Sequence, residues 1–467
     1  MKLYNLCKTS RRTAGYVVAL LAMLLLAYPV WRALAAGGNL DTSFSSDGRY
    51  YQYTYNQSIP VVRIQIDPNN PQTEKIIALT SIMYNGGCDG MDENYDFHVT
   101  RLNPSGTKDS NFGDGNGVKT VDFNGYGAAT ALELQANGKI LIAGNLTVGS
   151  HQVCDTSNPG LVRLTFDGAL DSTFGGNGKV LAPGTGRVSD MVVQADGKII
   201  LVGKAWQYSR AANKEIWYSA IWRFNANGTP DTTFGGDGLK TVQILGELDN
   251  IAEGFDSVFV QSDGKIVVLS ATFGYRLRRF TSTGAVDNTL NVNAPGNKLG
   301  KTVKGVGTKI WVVGSETPPF GPAGPLTHGA IFSHNADGSP DTAFGGGTGK
   351  VVSAQPSLWT DVSTVPLSLP SKYVVVGNNS ANSTSPKGKG LVMRYYANGT
   401  LDTSFGTNGS TETAFFYNGG RGEMADYVRY DSVHVGLSSK IVVSGWGGFY
   451  AGNPNPNFAL IARYWGN

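Results

Sequence analysis

The chain has 467 residues, with 62 glycines, 16% charged and 10% aromatic residues, a make-up that suits many short strands joined by glycine-rich turns. Its formal charge of +3 is misleading: Lys2, Lys8, Arg11, Arg12 and Arg32 lie in an acid-free stretch of 36 residues, and the rest holds 33 basic against 35 acidic residues. A net charge of about −2 excludes the electrostatic footprint of a nucleic-acid binder.

The first 36 residues have the layout of a secretory signal. Lys2, Lys8, Arg11 and Arg12 form a positive start, and an apolar stretch runs from Tyr16 to about Trp31, broken by Pro29. Ala33-Leu34-Ala35 then offers small residues for cleavage before Ala36. The alternative is an uncleaved anchor, since the apolar run approaches the ~20 residues that span a bilayer. Ser10-Arg11-Arg12 leaves a twin-arginine signal open. With no second stretch of spanning length, the mature chain is expected in the periplasm, outside the cell or at its surface. Residues 37–467 are expected to form one domain and a monomer.

A pattern Asp-x-x-Phe then returns along the chain. It occurs at Asp41–Phe44, Asp109–Phe112, Asp171–Phe174, Asp231–Phe234, Asp341–Phe344 and Asp402–Phe405, with a weaker copy at Asp287–Leu290. The steps from Phe44 are 68, 62, 60, 56, 54 and 61 residues. A Lys opening an apolar run falls between successive anchors, at Lys75, Lys139, Lys198, Lys265, Lys309, Lys372 and Lys440. Five residues later stands Gly144, Gly203, Gly314, Gly377 or Gly445, with Thr80 and Ser270 as exceptions. An Arg precedes the Asp by eight residues at Arg101, Arg163, Arg223, Arg279 and Arg394; Ser333 breaks the series and Arg463 continues it.

Each unit reads as four strands, here named A to D. In residues 187–244 these are Val188–Val193, Lys198–Val202, Ala220–Phe224 and Leu239–Val242, with Asp196-Gly197 and Asn227-Gly228 as hairpin turns. A period near 60 with four antiparallel strands predicts an all-β, seven-bladed β-propeller. The chain ends on a C strand, Phe458–Tyr464, with no Asp-x-x-Phe after it, and the mature start supplies that motif with no C strand before it. Residues 39–54 are therefore expected to be the outer strand of the seventh blade. Such pairing of the N-terminal strand with the C-terminal strands closes the ring and hides its edges.

The run Gln-x-Asp-Gly-Lys-Ile, then Val-Gly, then Arg, then Leu-Asp-x-x-Phe-Gly resembles the delta-60 repeat of exported bacterial proteins, across essentially all of residues 38–467. The resemblance implies a β-propeller outside the cytoplasm and implies no reaction. Leu290, Ser270 and Ser333 depart from its pattern in the fourth and fifth blades.

Repetition argues for structure, because an active site needs one constellation and a blade interface needs the same residues each time. The repeated Phe reads as a wedge between blades, and the repeated Asp as a cap on its own turn. Variation is concentrated in the B–C loops, 83–96, 147–159, 206–217, 316–327, 379–388 and 448–456. Loops on a rigid scaffold are where ligands bind. Trp206, Tyr208, Trp217, Trp446, Phe449 and Tyr450 on that face would suit a glycan or an extended peptide, or would simply cover the blade tops. Asp89, Asp92, Glu93 and Asp96 could hold calcium, or form a solvated acidic loop. No other cofactor is suggested. Cys88 and Cys154 fall in adjacent B–C loops and are candidates for a disulfide, worth roughly 4 kcal/mol in the chain-entropy model.

Motif searches yield no nucleophile elbow, zinc-protease helix or phosphate loop. The leading expectation is a non-catalytic binding or surface-interaction protein. The rivals are a propeller enzyme of lyase or glycoside hydrolase type, recognised by carboxylates, His or Arg converging on the axis from several blades, and a structural part of the cell envelope.

Overall fold

A computed structural model describes residues 37–53, 61–68, 70–85, 93–123, 127–147, 157–209, 213–243, 254–272, 274–317, 327–366, 368–379, 388–417, 423–425, 427–448 and 458–466. The signal-like segment, both candidate cysteines, Asp89, Asp92, Phe449, Tyr450 and most of the long B–C loops lie outside these residues. Among the described residues the protein is all-β, with one 3-10 turn at Gly345–Gly347 and no helix long and apolar enough to cross a membrane.

Strand β1 (Arg49–Tyr53) comes first and finds its partners last. The first sheet is β2 (Val61–Asp67), β3 (Asn70–Asn85), β4 (Glu93–Leu102) and β5 (Val118–Val121); the next is β6 (Gly127–Leu134), β7 (Ile140–Thr147), β8 (Ser157–Leu164) and β9 (Lys179–Leu181). A third contains β10 (Thr185–Val193), β11 (Ile199–Ser209), β12 (Lys214–Phe224) and β13 (Leu239–Val242), and a fourth β14 (Ser257–Val260), β15 (Ile266–Ser270), β16 (Arg276–Phe280) and β17 (Val286–Asn293). All four are antiparallel meanders.

A seven-stranded sheet follows: β18 (Lys298–Val306), β19 (Lys309–Glu316), β20 (His328–His334), β21 (Lys350–Val365), β22 (Lys372–Asn379), β23 (Gly390–Tyr396) and β24 (Ser410–Thr413). Its β21 does two jobs in succession. Residues 350–356 pair with β20, and residues 357–365 pair with β22. After the short pair β25 (Phe416–Tyr417) and β26 (Glu423–Met424), the last sheet holds β27 (Tyr427–Val435), β28 (Lys440–Gly448), β29 (Phe458–Trp465) and then β1. Arg49 lies opposite Ala462 and Tyr53 opposite Phe458 in this ladder. Main-chain bonds from Gly38 to Trp465 (2.7 Å) and from Asp41 to Arg463 (2.8 Å) extend the pairing.

The A–B hairpins are tight because their glycines take a left-handed conformation, as at Gly197 (φ +84°). The Asp or Asn before the Gly contributes differently: Asp196 Oδ1 accepts the Lys198 N–H at 3.1 Å. A second glycine, on strand B, answers a different need. Strands β6, β10, β18, β21 and β27 each carry a β-bulge, between Ala129 and Ala131, Val188 and Asp190, Gly300 and Thr302, Trp359 and Asp361, and Tyr430 and Ser432. The residue before each bulge faces Gly144, Gly203, Gly314, Gly377 or Gly445. A Cβ on Gly203 would sit 2.0 Å from the Arg187 carbonyl oxygen, and one on Gly377 1.8 Å from that of Leu358. The exception Ser270 belongs to β15, whose ladder with β14 runs without a shift.

Among the described residues the core is divided into seven apolar clusters, six between neighbouring sheets and one, that of Phe344, between the two halves of the seven-stranded sheet. Each holds one repeat anchor: Phe112, Phe174, Phe234, Leu290, Phe344, Phe405 or Phe44. The cluster of Phe44 joins Val442 and Ile461 of the last sheet to Val62 and Ile76 of the first.

Candidate functional site

The three repeated charged positions meet in one ion triplet. Asp231 Oδ2 takes Arg223 Nε at 2.7 Å and Lys198 Nζ at 2.8 Å, while its Oδ1 caps Thr233. The same arrangement recurs at Asp109 with Arg101 and Lys75, Asp171 with Arg163 and Lys139, Asp287 with Arg279 and Lys265, and Asp402 with Arg394 and Lys372. Asp41, from the start of the described chain, completes it with Arg463 and Lys440 from the end. Burial opposes ionisation of Asp231, but Lys198, Thr233 and Arg223 hold its carboxyl well below the usual range.

Where the anchor is Phe the Arg also stacks on it, Arg223 lying 4.5 Å from the Phe234 ring centre; in the sheet of Arg279 the anchor is Leu290. The Arg then donates to a turn carbonyl of the neighbouring sheet, Arg101 to Phe166 and Arg163 to Ala226. Arg463 reaches Pro104 of the first sheet in the same way, at 2.5 Å. These charges are saturated by one another.

The first strands of the sheets place a different set together. β2 lies against β6, β6 against β10, β10 against β14, β14 against β18, β18 against β21, β21 against β27, and β27 against β2. Their outer edges have no ladder partner, so side chains from one sheet take up N–H groups of the next. Asp190 Oδ2 accepts from Ser257 Oγ (2.9 Å) and the Val258 N–H (3.0 Å), and Asp361 Oδ2 accepts from the Val433 N–H (3.0 Å). One turn of strand further in, Arg63 of β2 pairs with Glu133 of β6 at 2.8 Å and touches Ser432 of β27 at 3.5 Å.

Lys304 and His434 join this layer electrostatically. Burial opposes the Arg63 charge, yet Glu133, Asp361 and Asp190 outweigh it and raise its pKa. Burial, followed by the Arg63 charge, takes His434 down to about 4, so the imidazole is neutral at physiological pH. Five first strands, β2, β6, β10, β18 and β27, together with the 357–365 part of β21, thus send ionisable groups to one place. Repeat alignment passes over these residues because it selects what recurs, and they occupy one strand position that changes from sheet to sheet: Arg63, Glu133, Val192, Phe259, Lys304, Ser363, His434. A charged residue inside a β-rich A strand was the available signal.

The long-loop end, where B strands finish, holds a cleft of about 460 Å³. Asn158, Thr185, Trp206, Gln207, Tyr218 and Thr241 line it. Of the rings expected to bind, Trp206 is only 6% exposed, its ring centre 4.6 Å from that of Trp217 directly across the ladder. Tyr208 sits opposite Glu215 in the same ladder. Trp446 is half-buried, between Arg429 (5.1 Å) and the edge of Tyr427 (4.9 Å). Glu93 pairs with Asn85 and Asp96 with Ile82; Asp96 is buried, its carboxyl raised to about 6 by burial and by Asp122. Among the described residues no group of three or more His, Cys, Asp or Glu side chains is placed to hold a metal ion.

Residues 86–112, 135–174, 194–234 and 261–290 match a family described as "Domain of unknown function (DUF5122) beta-propeller", a repeat of the delta-60 type. Each matched stretch ends on a repeat anchor: Phe112, Phe174, Phe234 or Leu290. No curated protein matches the chain. Among solved structures, the WD40 β-propeller domain of Doa1 is 12% identical, with a TM-score of 0.43 over 88% of this chain and 97% of that one. A fungal alcohol oxidase of the AA5 family, in complex with copper, is 12% identical, with a TM-score of 0.40 over 89% and 75%. A protein of unknown function from Bacteroides caccae is 11% identical, with a TM-score of 0.36 over 72% and 94%. Likeness at this level carries no argument about activity. The matched stretches and the four-stranded sheets make the protein a β-propeller.

Proposed function

We propose that the chain is an exported, seven-bladed propeller, closed between its two ends, that binds a glycan or a peptide on its long-loop face without turning it over. Seven blades result if β21 is counted once with β20 and once with β22. The seven apolar clusters, the contact of β27 with β2, and the Arg463–Pro104 bond support a closed circle. Export rests on the signal-like first 36 residues.

The observation that carries the binding reading is the cleft at the long-loop end. Its walls offer amides (Asn158, Gln207), hydroxyls (Thr185, Thr241) and the partly exposed Tyr218. A few polar groups around an aromatic face suit a ligand rich in hydrogen-bonding groups. Glycan and peptide arrays probed with the protein, then repeated with Tyr218→Ala, test this. The expected result is a ligand whose binding the substitution abolishes while the melting temperature holds. Arrays with no ligand, together with turnover of a substrate, would overturn it.

Turnover is the second reading, and the convergence of Arg63, Glu133, Lys304 and His434 favours it. Neutral His434 and ionised Glu133 are suited to proton transfer.

A further inference from the structure

Where a first strand gives way to its hairpin, one residue recurs at the seam with the next sheet. It is Gln65 on β2, opposite Lys75. Just past β6, β10 and β14 it is Gln135, Gln194 and Gln261, whose N–H groups donate to the carbonyls of Lys139, Lys198 and Lys265. Val306 and Val365, both buried, stand opposite Lys309 and Lys372. In the last sheet the same main-chain bond, to the Lys440 carbonyl, comes from Gly436. Of these seven positions, Gly436 alone brings no side chain.

Gln65 shows what such a side chain does. It is fully buried, and its Nε2 donates to the carbonyls of Gly138 (2.7 Å) and Phe166 (3.3 Å) in the next sheet. Its Oε1 accepts from Arg101 Nη1 at 3.1 Å, as Gln261 Oε1 does from Arg279 at 3.3 Å. By repeat position, the counterparts of Gly138, Phe166 and Arg101 around Gly436 are Glu74, Pro104 and Arg463. All three line a cavity of about 160 Å³ whose apolar walls are Ile64, Ile76 and Val442. A cavity of about 150 Å³ takes up benzene, so this one has room for a carboxamide and its methylene stem. Arg463 Nη1 bonds to the Pro104 carbonyl as Arg101 Nη1 does to that of Phe166, and among the described residues no amide oxygen joins it. The Glu74 carboxylate turns aside to the Ser438 N–H (2.9 Å) and hydroxyl, 2.6 Å from where a Cβ on Gly436 would stand.

We propose that this cavity, at the seam of the last sheet with the first, receives the side-chain carboxamide of a glutamine from another polypeptide. The amide oxygen accepts from Arg463 Nη1, and the amide N–H groups donate to the main-chain carbonyls of Glu74 and Pro104, the set of bonds that Gln65 makes one seam further on. Its methylenes lie on Ile64, Ile76 and Val442. A glutamate would bring a carboxylate against those carbonyls and the Glu74 side chain, and a methionine would leave the polar groups unanswered. The site is separate from the Trp206 cleft and does not depend on it.

Ligand-observed NMR with N-acetylglutamine N-methylamide, beside its glutamate and methionine counterparts, tests the assignment. An analogue that leaves hydrogen-bonding groups of the site unpaired is penalised, so the glutamine compound should bind about tenfold more tightly than either. Glu74→Gly combined with Gly436→Gln rebuilds the repeat, so the protein's own glutamine fills the cavity. Binding should then vanish while the melting temperature holds or rises. Tyr218→Ala should leave binding unchanged. Equal affinities, a preference for glutamate, or binding that survives the double substitution overturns the proposal. Loss of binding in Tyr218→Ala would place the ligand in the Trp206 cleft and overturn it too. Should the double variant fail to fold, crystals of the parent protein soaked with the glutamine compound decide. A carboxamide in the cavity supports the assignment, and water alone there overturns it.

Discussion

Trp311 stands directly across the β19–β20 ladder from Ser333. In other sheets the corresponding pairs are Ile77 with Arg101, Leu141 with Arg163 and Ile200 with Arg223. The indole has moved into the room vacated by the guanidinium. It packs on Phe344 at 5.0 Å, the role that Arg223 fills on Phe234 at 4.5 Å. Asp341 keeps Lys309 at 2.9 Å and takes the Ser333 hydroxyl at 3.0 Å. Ser333→Arg alone should overpack this interface, costing about 1–3 kcal/mol. Trp311→Val alone should leave a cavity, costing about 3–5 kcal/mol. Combining the two should recover most of the loss, and a double-mutant cycle by chemical denaturation measures it. Additive penalties would show that the exchange is not compensatory.

The ion triplets predict equal penalties at distant places. Asp231→Ala strands Arg223 and Lys198 inside one sheet, and Asp41→Ala strands Arg463 and Lys440 where the ends meet. Removing one partner of a buried pair costs about 3–5 kcal/mol, less here because each Lys is partly exposed. Both variants should lose comparable stability in urea. A silent Asp41→Ala would mean that the contacts of Asp41 with Arg463 and Lys440 add nothing to the joining of the two ends.

Acid unfolding follows from the same carboxylates. Asp171, Asp231 and Asp402 have folded pKa values below their unfolded ones, so they add stability above the unfolded value of about 3.9 and lose it as pH falls through the folded ones. These three carboxylates should add no pH dependence between neutrality and about pH 4 and should bring a steep fall in melting temperature below it. Asp231→Asn should flatten that descent.

Strand-B glycines should tolerate no side chain where a bulge faces them. Gly203→Ala pushes a methyl group into the Arg187 carbonyl and should cost about 1–3 kcal/mol. Ser270→Ala, with no bulge opposite, should cost about 1 kcal/mol or less. Thermal melts of the two variants make the comparison.

Asp431 should behave oppositely from the triplet carboxylates. Its folded pKa of about 6 exceeds the unfolded value, so the unfolded chain's carboxyl ionises first and stability falls as pH rises from about 4 to 6. Asp431→Asn should therefore raise the melting temperature at pH 7.5 and match the parent near pH 4.5. A lower melting temperature at pH 7.5 would mark Asp431 as structural.

Spacing alone carried the all-β class, the repeat of about 60 residues, the hairpin turns at Asp196-Gly197 and Asn227-Gly228, and the outer position of residues 49–53. These follow from local chemistry: period-two apolar runs, glycines at positive φ, and a motif missing at one end and present at the other. The same alignment displayed Lys198, Arg223 and Asp231 as separate landmarks, and only three-dimensional pairing made them one carboxylate's partners. It also recorded Gly203 and Ser270 as rule and exception without the bulge that explains them. The axial residues were hidden for a physical reason. Arg63, Glu133, Lys304, His434 and Asp431 come from four different sheets and are unlike one another, so no periodicity marks them. Their association was decided by the tertiary structure, which lays the unpaired edges of the first strands against one another.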